Sequence, residues 1–428
     1  MSGYSYRGRN PRGYSSYTQG YSKTSPTSNL PPDRDILQGL AKSPLQTVAR
    51  PPTPSTDKEI KITNLHYAGS YNWVEKPSPT IIVPGSPREW LNKSLPYQVH
   101  ADDGFSFKDQ NGYRSPNAVL LPLITAVDEM SKRNGDDFDW ASIDFVTDRN
   151  NLRKLLRWIA GGTINDFRID LQLAGKHTVL FNRWEDRYKE QMSGRTFGFN
   201  FEKASTRPAP GCVDSTGHHR IVRYDLNGLK MVVRFEVDAC IASEAPTSAP
   251  KSTPAKPGSS ANVDDLIGAL SGVTLSTAVP GSSPSTVADG AREIIVIHGG
   301  AEVPQSAIVE LTTRSERNAA SFDFKESYPQ LFLSQTPHHF LAVHERGRFT
   351  RMTKRQLESP EIKNLAVDII QPDLKKLRRV LDVIMALAIK HGERGRLSLV
   401  CQGGDLKVYE RVSDKSCLPD DILQRFDV

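Results

Sequence analysis

Several things are scarce in this chain of 428 residues, and each scarcity narrows what it can be. Only four cysteines occur, Cys212, Cys240, Cys401 and Cys417, with no CxxC pair among them, so neither a disulfide framework nor a zinc ribbon is expected. A reducing intracellular compartment is the simple expectation. No apolar run reaches the roughly 18 residues of a membrane span. The opening MSGYSYRGRN lacks an apolar stretch, so no secretory signal is expected. Residues 1–32 contain no acidic residue, only Arg7, Arg9, Arg12 and Lys23. The formal net charge is +6, so the other residues carry only a slight positive balance and any RNA groove must be local.

What is present divides the chain unevenly. Proline concentrates in residues 1–60, with 8 of the 29, and in 241–290, with 6 more. The Tyr/Gly/Ser/Arg run at the start has no aliphatic residues with which to offset its ordering entropy, so a disordered tail is expected over 1–60. Its tyrosines can stack on bases and its arginines can pair with phosphates, as in an RNA-binding tail; a solvated tail without a partner is the alternative. Residues 242–290 read as a disordered insertion. Within it, Val263, Leu266, Ile267 and Leu270 share one helical face, the pattern of a docking peptide over 262–275. The alternative is that this turn folds back on its own domain.

The remainder predicts an α+β domain, a mixed β-sheet core flanked by helices, over about 90–415. The stretch from Leu45 to about Ser115 reads as loop-rich. Helices are expected over 116–130, 149–159, 183–191, 199–206, 324–334 and 372–391. Strands are expected over 167–173, 177–181, 294–298, 307–313 and 340–344. Two hairpins are expected: 220–226 with 229–241 across Asn227-Gly228, whose residues suit a type I′ turn, and 397–401 with 406–409.

Chemistry is concentrated on two of these strands. In RFEVDAC, Glu236 and Asp238 point to the face opposite Phe235 and Val237, and in AIVELTT, Glu310 and Thr312 share a face. Two acids facing a third carboxylate on a neighbouring strand suit a hard divalent cation such as Mg2+ or Mn2+. The bland alternative is a pair of half-exposed strands. Cys212 with His218 and His219, and the pair His338–His339, match no common metal spacing and read as surface loops. No H-x-E with P-C-x-x-C occurs, so a zinc deaminase site is not expected.

The order of motifs adds to this. GFNFE (198–202), EVD (236–238), ELT (310–312) and PQLFLSQTP (329–337) resemble, in sequence, the decapping exoribonuclease (DXO-type) family, which removes defective or non-standard RNA 5′ caps. FVTDRNNLRKLL (145–156) and FLAVHERG (340–347) extend the likeness to about 140–411. The chain looks like a divergent, fungal-type member with a degenerate motif. The resemblance implies a fold related to PD-(D/E)XK nucleases. It also implies metal-binding carboxylates at Glu202, Asp238 and Glu310, completed by the Leu311 carbonyl. Glu236 and Gln330 would lie around the substrate phosphate and water, and Arg149 would contact RNA phosphate. Two departures stand out. Thr312 occupies the place of a lysine whose ammonium helps polarise the attacking water, and Asn200 replaces another lysine. Arg314 lies about 13 Å further along the strand than Glu310 and is a poor substitute. Loss of one such preorganised group typically costs roughly 10²–10⁴ in rate.

Three expectations follow. The first is an RNA-associated pseudoenzyme acting as adaptor or activator of an RNA-processing or RNA-modifying enzyme, such as a 5′→3′ exonuclease or an RNA deaminase, docked through 263–270. The second is an active metal-dependent RNA pyrophosphohydrolase or 5′→3′ exoribonuclease, a hydrolase acting on RNA 5′ ends. The third is an RNA-binding protein with no enzyme partner. Nuclear localisation is expected, with the cytoplasm as the alternative, and no membrane association.

Overall fold

Alternating and continuous apolar runs assemble two large sheets in the computed structural model, which describes residues 30–52, 58–162, 164–242, 285–287, 294–322, 324–360, 362–364, 370–392, 395–413 and 415–427. Pro32–Val428 form one compact unit, and of Met1–Pro31 only the last two residues are described. Among the described residues, one sheet has twelve strands and a second has seven.

The centre of the larger sheet is the hairpin Ser215–Leu226 with Leu229–Glu236, whose turn has positive φ at both Asn227 (43°) and Gly228 (86°), as the Asn-Gly pair predicts. On one side Leu229–Glu236 runs parallel to Phe145–Asp148, which runs parallel to Thr178–Trp184. Phe167–Ala174, Arg396–Gln402, Asp405–Glu410 and Gln46–Val48 continue the sheet to that edge. On the other side lie Ile62–Val74, Thr80–Pro84, Ile294–Gly299 and Ser285–Val287. Parallel and antiparallel pairs both occur, so the sheet is mixed.

Both faces are covered. Leu152, Leu155 and Leu156 of helix Arg149–Ala160 pack one core with Leu374, Leu377 and Leu381 of helix Gln371–His391 and Leu331 of helix Phe324–Ser334. Leu123, Ile124 and Val127 of helix Leu121–Asn134 fill the opposite core with Ile422 and Phe426. Each helix thus buries one apolar stripe against the sheet. The smaller sheet has its own core, built by Val309, Phe340 and Phe349 with Phe201 of helix Gly198–Ser205. Its centre is the parallel pair Ile308–Ser315 with His338–Glu345. No helix among the described residues is long and apolar enough to cross a membrane. All four cysteines are free and buried.

Three expectations need correction. Residues 45–115 are not mainly loop, because Ile62–Val74 is a 13-residue strand paired with the central hairpin. The sheet therefore begins at Gln46, ahead of the expected boundary at 90 and inside the segment expected to be a tail. The charged run 183–191 forms no helix. It is the end of strand Thr178–Trp184 followed by strand Lys189–Gln191, paired antiparallel with Phe105–Phe107. The expected insertion 242–290, apart from Ala242 and the short strand Ser285–Val287, lies outside the described residues, as does the whole of the docking peptide 262–275.

Candidate functional site

The acids gather where the chain passes from one sheet to the other. Glu236 closes strand Leu229–Glu236 of the large sheet, and after two intervening residues Ala239–Cys240 joins the small sheet beside Ile308–Ser315. Asp238 sits in that crossing. Phe235 and Val237 point into the large core, so alternation turns Glu236 and Asp238 to the other side, as expected. Glu310 lies on Ile308–Ser315, between Val309 and the partly buried Leu311. Glu202 comes from helix Gly198–Ser205, anchored by Phe201 in the small-sheet core.

Helix Gly198–Ser205 starts without a side-chain cap of its own, and Asp102 supplies one. Its carboxylate accepts from the backbone N–H groups of Phe199 (3.3 Å) and Asn200 (2.8 Å). The Asn200 side chain turns back to donate to the carbonyls of Ala101 and His100, at 3.0 and 3.3 Å. The residue that stands where the resemblance expects a lysine is thus bonded to backbone.

Electrostatically the acids act on one another. Burial and then the neighbouring Glu236 raise the Glu202 carboxyl to about 8, against the opposing pull of Arg88. Burial followed by Glu310 and Glu202 raises Asp238 well above the usual range, although the Leu311 N–H donates to its Oδ2 at 2.7 Å. Glu236 is also raised, by loss of water among the surrounding protein and by Glu310 and Asp109, with Arg149 and Arg183 opposing. Its side chain remains exposed, which tempers the effect.

Glu310 is the member with most polar partners. Arg149 Nη1 donates to Glu310 Oε2 at 3.2 Å, with both side chains largely buried, and Gln330 Nε2 donates to the other oxygen, Oε1. Arg149 also donates to Ser334 Oγ at 3.3 Å and lies 5.5 Å from the Phe235 ring. Arg149 and Gln330 are therefore brought to the acids, as the motif order implied. Arg149 meets a carboxylate there.

Thr312 has a neighbour that sequence reasoning missed. Its Oγ1 lies 3.0 Å from His339 Nε2, and His339 is fully buried on the adjacent strand. Burial lowers the His339 pKa to about 4, so the ring is neutral at pH 7. Phe322 stacks on it at 5.9 Å, and its Nδ1 is buried without a partner among the described residues. The position expected to carry an ammonium is thus a hydroxyl beside a neutral imidazole. Arg314 is no substitute: its guanidinium lies 5.3 Å from the Phe322 ring and donates to the Thr313 carbonyl.

The readings of the histidines as surface loops are corrected. His338–Glu345 is a strand, and His218 and His219 are buried in strand Ser215–Leu226, with Cys212 buried nearby in sequence. Arg88 and His339 gave no motif signal, because only the tertiary fold brings them to the acids.

The donor types at Glu202, Asp238 and Glu310 are those a hard cation prefers. Their placement does not fit one. Among the described residues no three His, Cys, Asp or Glu side chains are grouped to hold a metal ion. Both Glu310 oxygens are engaged by Arg149 and Gln330, and Leu311 offers its N–H to Asp238 where the resemblance expected its carbonyl to serve a metal.

The raised Glu202 carboxyl has a consequence for stability in EDTA. Between its usual 4.5 and about 8 the folded chain keeps a proton that the unfolded chain has lost. The folded state then binds more protons, so stability falls as pH rises through that window. Glu202→Gln is expected to flatten this part of the melting-temperature profile. Parallel profiles for the two proteins would contradict the assignment.

With this geometry in hand, comparison with known proteins is informative. The profile of a family described as "Domain of unknown function (DUF8563)" matches residues 43–427. The chain belongs to that family. No curated protein matches it by sequence. Among solved structures, it is similar to Candida albicans Rai1 in complex with pU5-Mn2+, with a TM-score of 0.54 and 12% identity over 89% of this chain and 99% of that one. It is similar also to Scheffersomyces stipitis Rai1 in complex with (3′-NADP)+ and calcium ion, with a TM-score of 0.52 and 12% identity over 89% and 95% of the two chains. A third is S. pombe Rai1 in complex with 3′-FADP, with a TM-score of 0.50, 12% identity and coverage of 84% and 96%. This member of the DUF8563 family therefore has the fold of the Rai1 structures, the α+β class expected from the sequence.

Proposed function

We propose that this chain is an RNA-associated protein on a decapping-nuclease fold, impaired in hydrolysis, which serves as adaptor or activator for an RNA-processing or RNA-modifying enzyme. One observation carries the reading. Thr312, the position where the resemblance calls for an ammonium, bonds to a neutral His339, while Glu310 is spanned by Arg149 and Gln330. A hydroxyl has no charge with which to lower the pKa of a neighbouring water. RNA association is supported by the fold shared with a Rai1 solved with pU5, and nuclear localisation belongs to the same reading. The protein contact is assigned to 263–270.

A second reading, an active metal-dependent decapping pyrophosphohydrolase or 5′→3′ exoribonuclease, is favoured by the mutual repulsion of Glu202, Glu236, Asp238 and Glu310. A divalent cation would relieve that repulsion.

The RNA part of the proposal is tested by fluorescence anisotropy with a labelled single-stranded oligonucleotide in EDTA, where hydrolysis does not intervene. Saturable binding that weakens with salt is expected. Absence of binding at low salt would overturn the reading.

A further inference from the structure

A second feature adjoins the acidic site. Beside helix Arg149–Ala160 opens a cavity of about 680 Å³, closed on its other sides by Phe167, Arg183 and Glu185, the start of helix Phe324–Ser334 and the start of helix Gln371–His391. Six cations line it (Lys108, Arg153, Lys154, Arg157, Arg183 and Lys325) against four carboxylates. Some of these charges are already paired. Glu185 accepts from Lys154 at 3.0 Å and from Arg183 at 2.8 Å, and Glu326 lies 3.5 Å from the exposed Arg157.

Arg153 differs from these. It is half-buried, and among the described residues its guanidinium makes no hydrogen bond or ion pair. Burial and the flanking Arg149 and Arg157 lower its pKa to about 10, which leaves it charged at neutral pH. Holding an unpaired cation in such a place is unfavourable unless an anion arrives.

The three arginines also have a direction. Arg149, Arg153 and Arg157 fall at i, i+4 and i+8 on one helix face, each about 6 Å along the axis from the last. Arg149 ends the row at Glu310, and Arg153 and Arg157 carry it into the cavity. Guanidinium groups suit phosphate because their forked donors bond two oxygens at once. A row of them stepping away from the acids matches a chain of phosphodiesters better than a single anion.

We propose that this cavity is a phosphate subsite for the backbone of single-stranded RNA, with Arg153 its central contact and Arg157 the next. The inference rests on the RNA-associated reading above and says which surface holds the strand. Contacts of this kind carry no sequence preference. Glu326 gives up Arg157 when RNA binds.

The test is anisotropy of a labelled oligouridylate on the full chain in EDTA over a salt series. Arg153→Gln is expected to weaken binding about tenfold at low salt, the scale of one charge-assisted contact. Arg153→Lys keeps the charge and retains most of the affinity. The double variant with Arg157→Gln lowers the salt slope by about 1.4, roughly 0.7 for each lost phosphate contact. Arg133→Gln, exposed on helix Leu121–Asn134, leaves binding unchanged. If the wild-type chain binds RNA and the Arg153 and double variants bind it equally well, the subsite is wrong while the RNA reading stands. Displacement of the oligouridylate by polyglutamate as effective as by unlabelled oligouridylate would also overturn it, in favour of an acidic peptide. A wild-type chain that binds no RNA removes both.

Discussion

Asp148→Ala is expected to destabilise the folded chain by about 3–5 kcal/mol, because it leaves a buried guanidinium without its counter-charge. Arg234 is completely buried and forms a two-pronged pair with Asp148, Nε to Oδ1 at 2.6 Å and Nη2 to Oδ2 at 2.9 Å. Its remaining donor reaches the Val119 carbonyl at 2.9 Å and the Tyr71 hydroxyl at 3.1 Å. The pair also positions the site. Asp148 immediately precedes Arg149, and Arg234 stands two residues before Glu236 on the strand paired with Phe145–Asp148. A urea denaturation curve should show a lower midpoint with an unchanged slope. A loss below about 1 kcal/mol would mean that water reaches Arg234 once the carboxylate is gone.

The second large effect is electrostatic. Thr312→Lys places an ammonium on the face that Thr312 shares with Glu310. An opposite charge within about 4–6 Å lowers a carboxyl by about 1–3 units, so Glu202, which is raised in part by Glu310, is expected to titrate below its present value of about 8. The sign for stability follows. A lower folded-state pKa narrows the window in which the folded chain holds the extra proton, so the loss of stability on raising the pH becomes smaller. Melting temperatures of the two proteins should therefore diverge towards alkaline pH, with the lysine variant higher. Identical profiles would show that residue 312 does not face the acids. His339 must accommodate the longer side chain, and in the native chain its burial keeps the ring neutral.

Much of this arrangement could be read from local sequence, and the exceptions share a cause. Asn227-Gly228 announced the central hairpin because the turn itself demands positive φ. Helix Phe324–Ser334 and the long helix Gln371–His391 declared themselves through apolar spacing. EVD and ELT announced which face of the strand their acids take, because alternation along a strand is a local rule. Strand Ile62–Val74 was hard to read because polar residues alternate with aromatic ones in its buried half. Ser70 and Asn72 read as loop residues, yet each is satisfied inside the fold, Ser70 Oγ by the Pro84 carbonyl and Asn72 Nδ2 by the Ser86 carbonyl, both at 2.8 Å. Its register shifts against the central hairpin further blur any period.

The same limit applies at the site. Motif order set Arg149 and Gln330 near the acids, but gave no sign that both bond Glu310. His339 belongs to the site only because Ile308–Ser315 and His338–Glu345 run side by side, setting Glu310 opposite His339. A histidine pair in a polar stretch carries no such signal. Arg88 reaches Glu202 from a loop more than a hundred residues earlier in the chain.

The central claim is that the acids are assembled without the charge that would make water attack. The direct measurement is single-turnover cleavage of 5′-triphosphorylated, NAD-capped and unmethylated-capped RNA by the purified chain with Mn2+, beside Asp238→Ala. The account predicts that the two proteins release the same background level of product. Cleavage by the native chain that disappears in Asp238→Ala would contradict it.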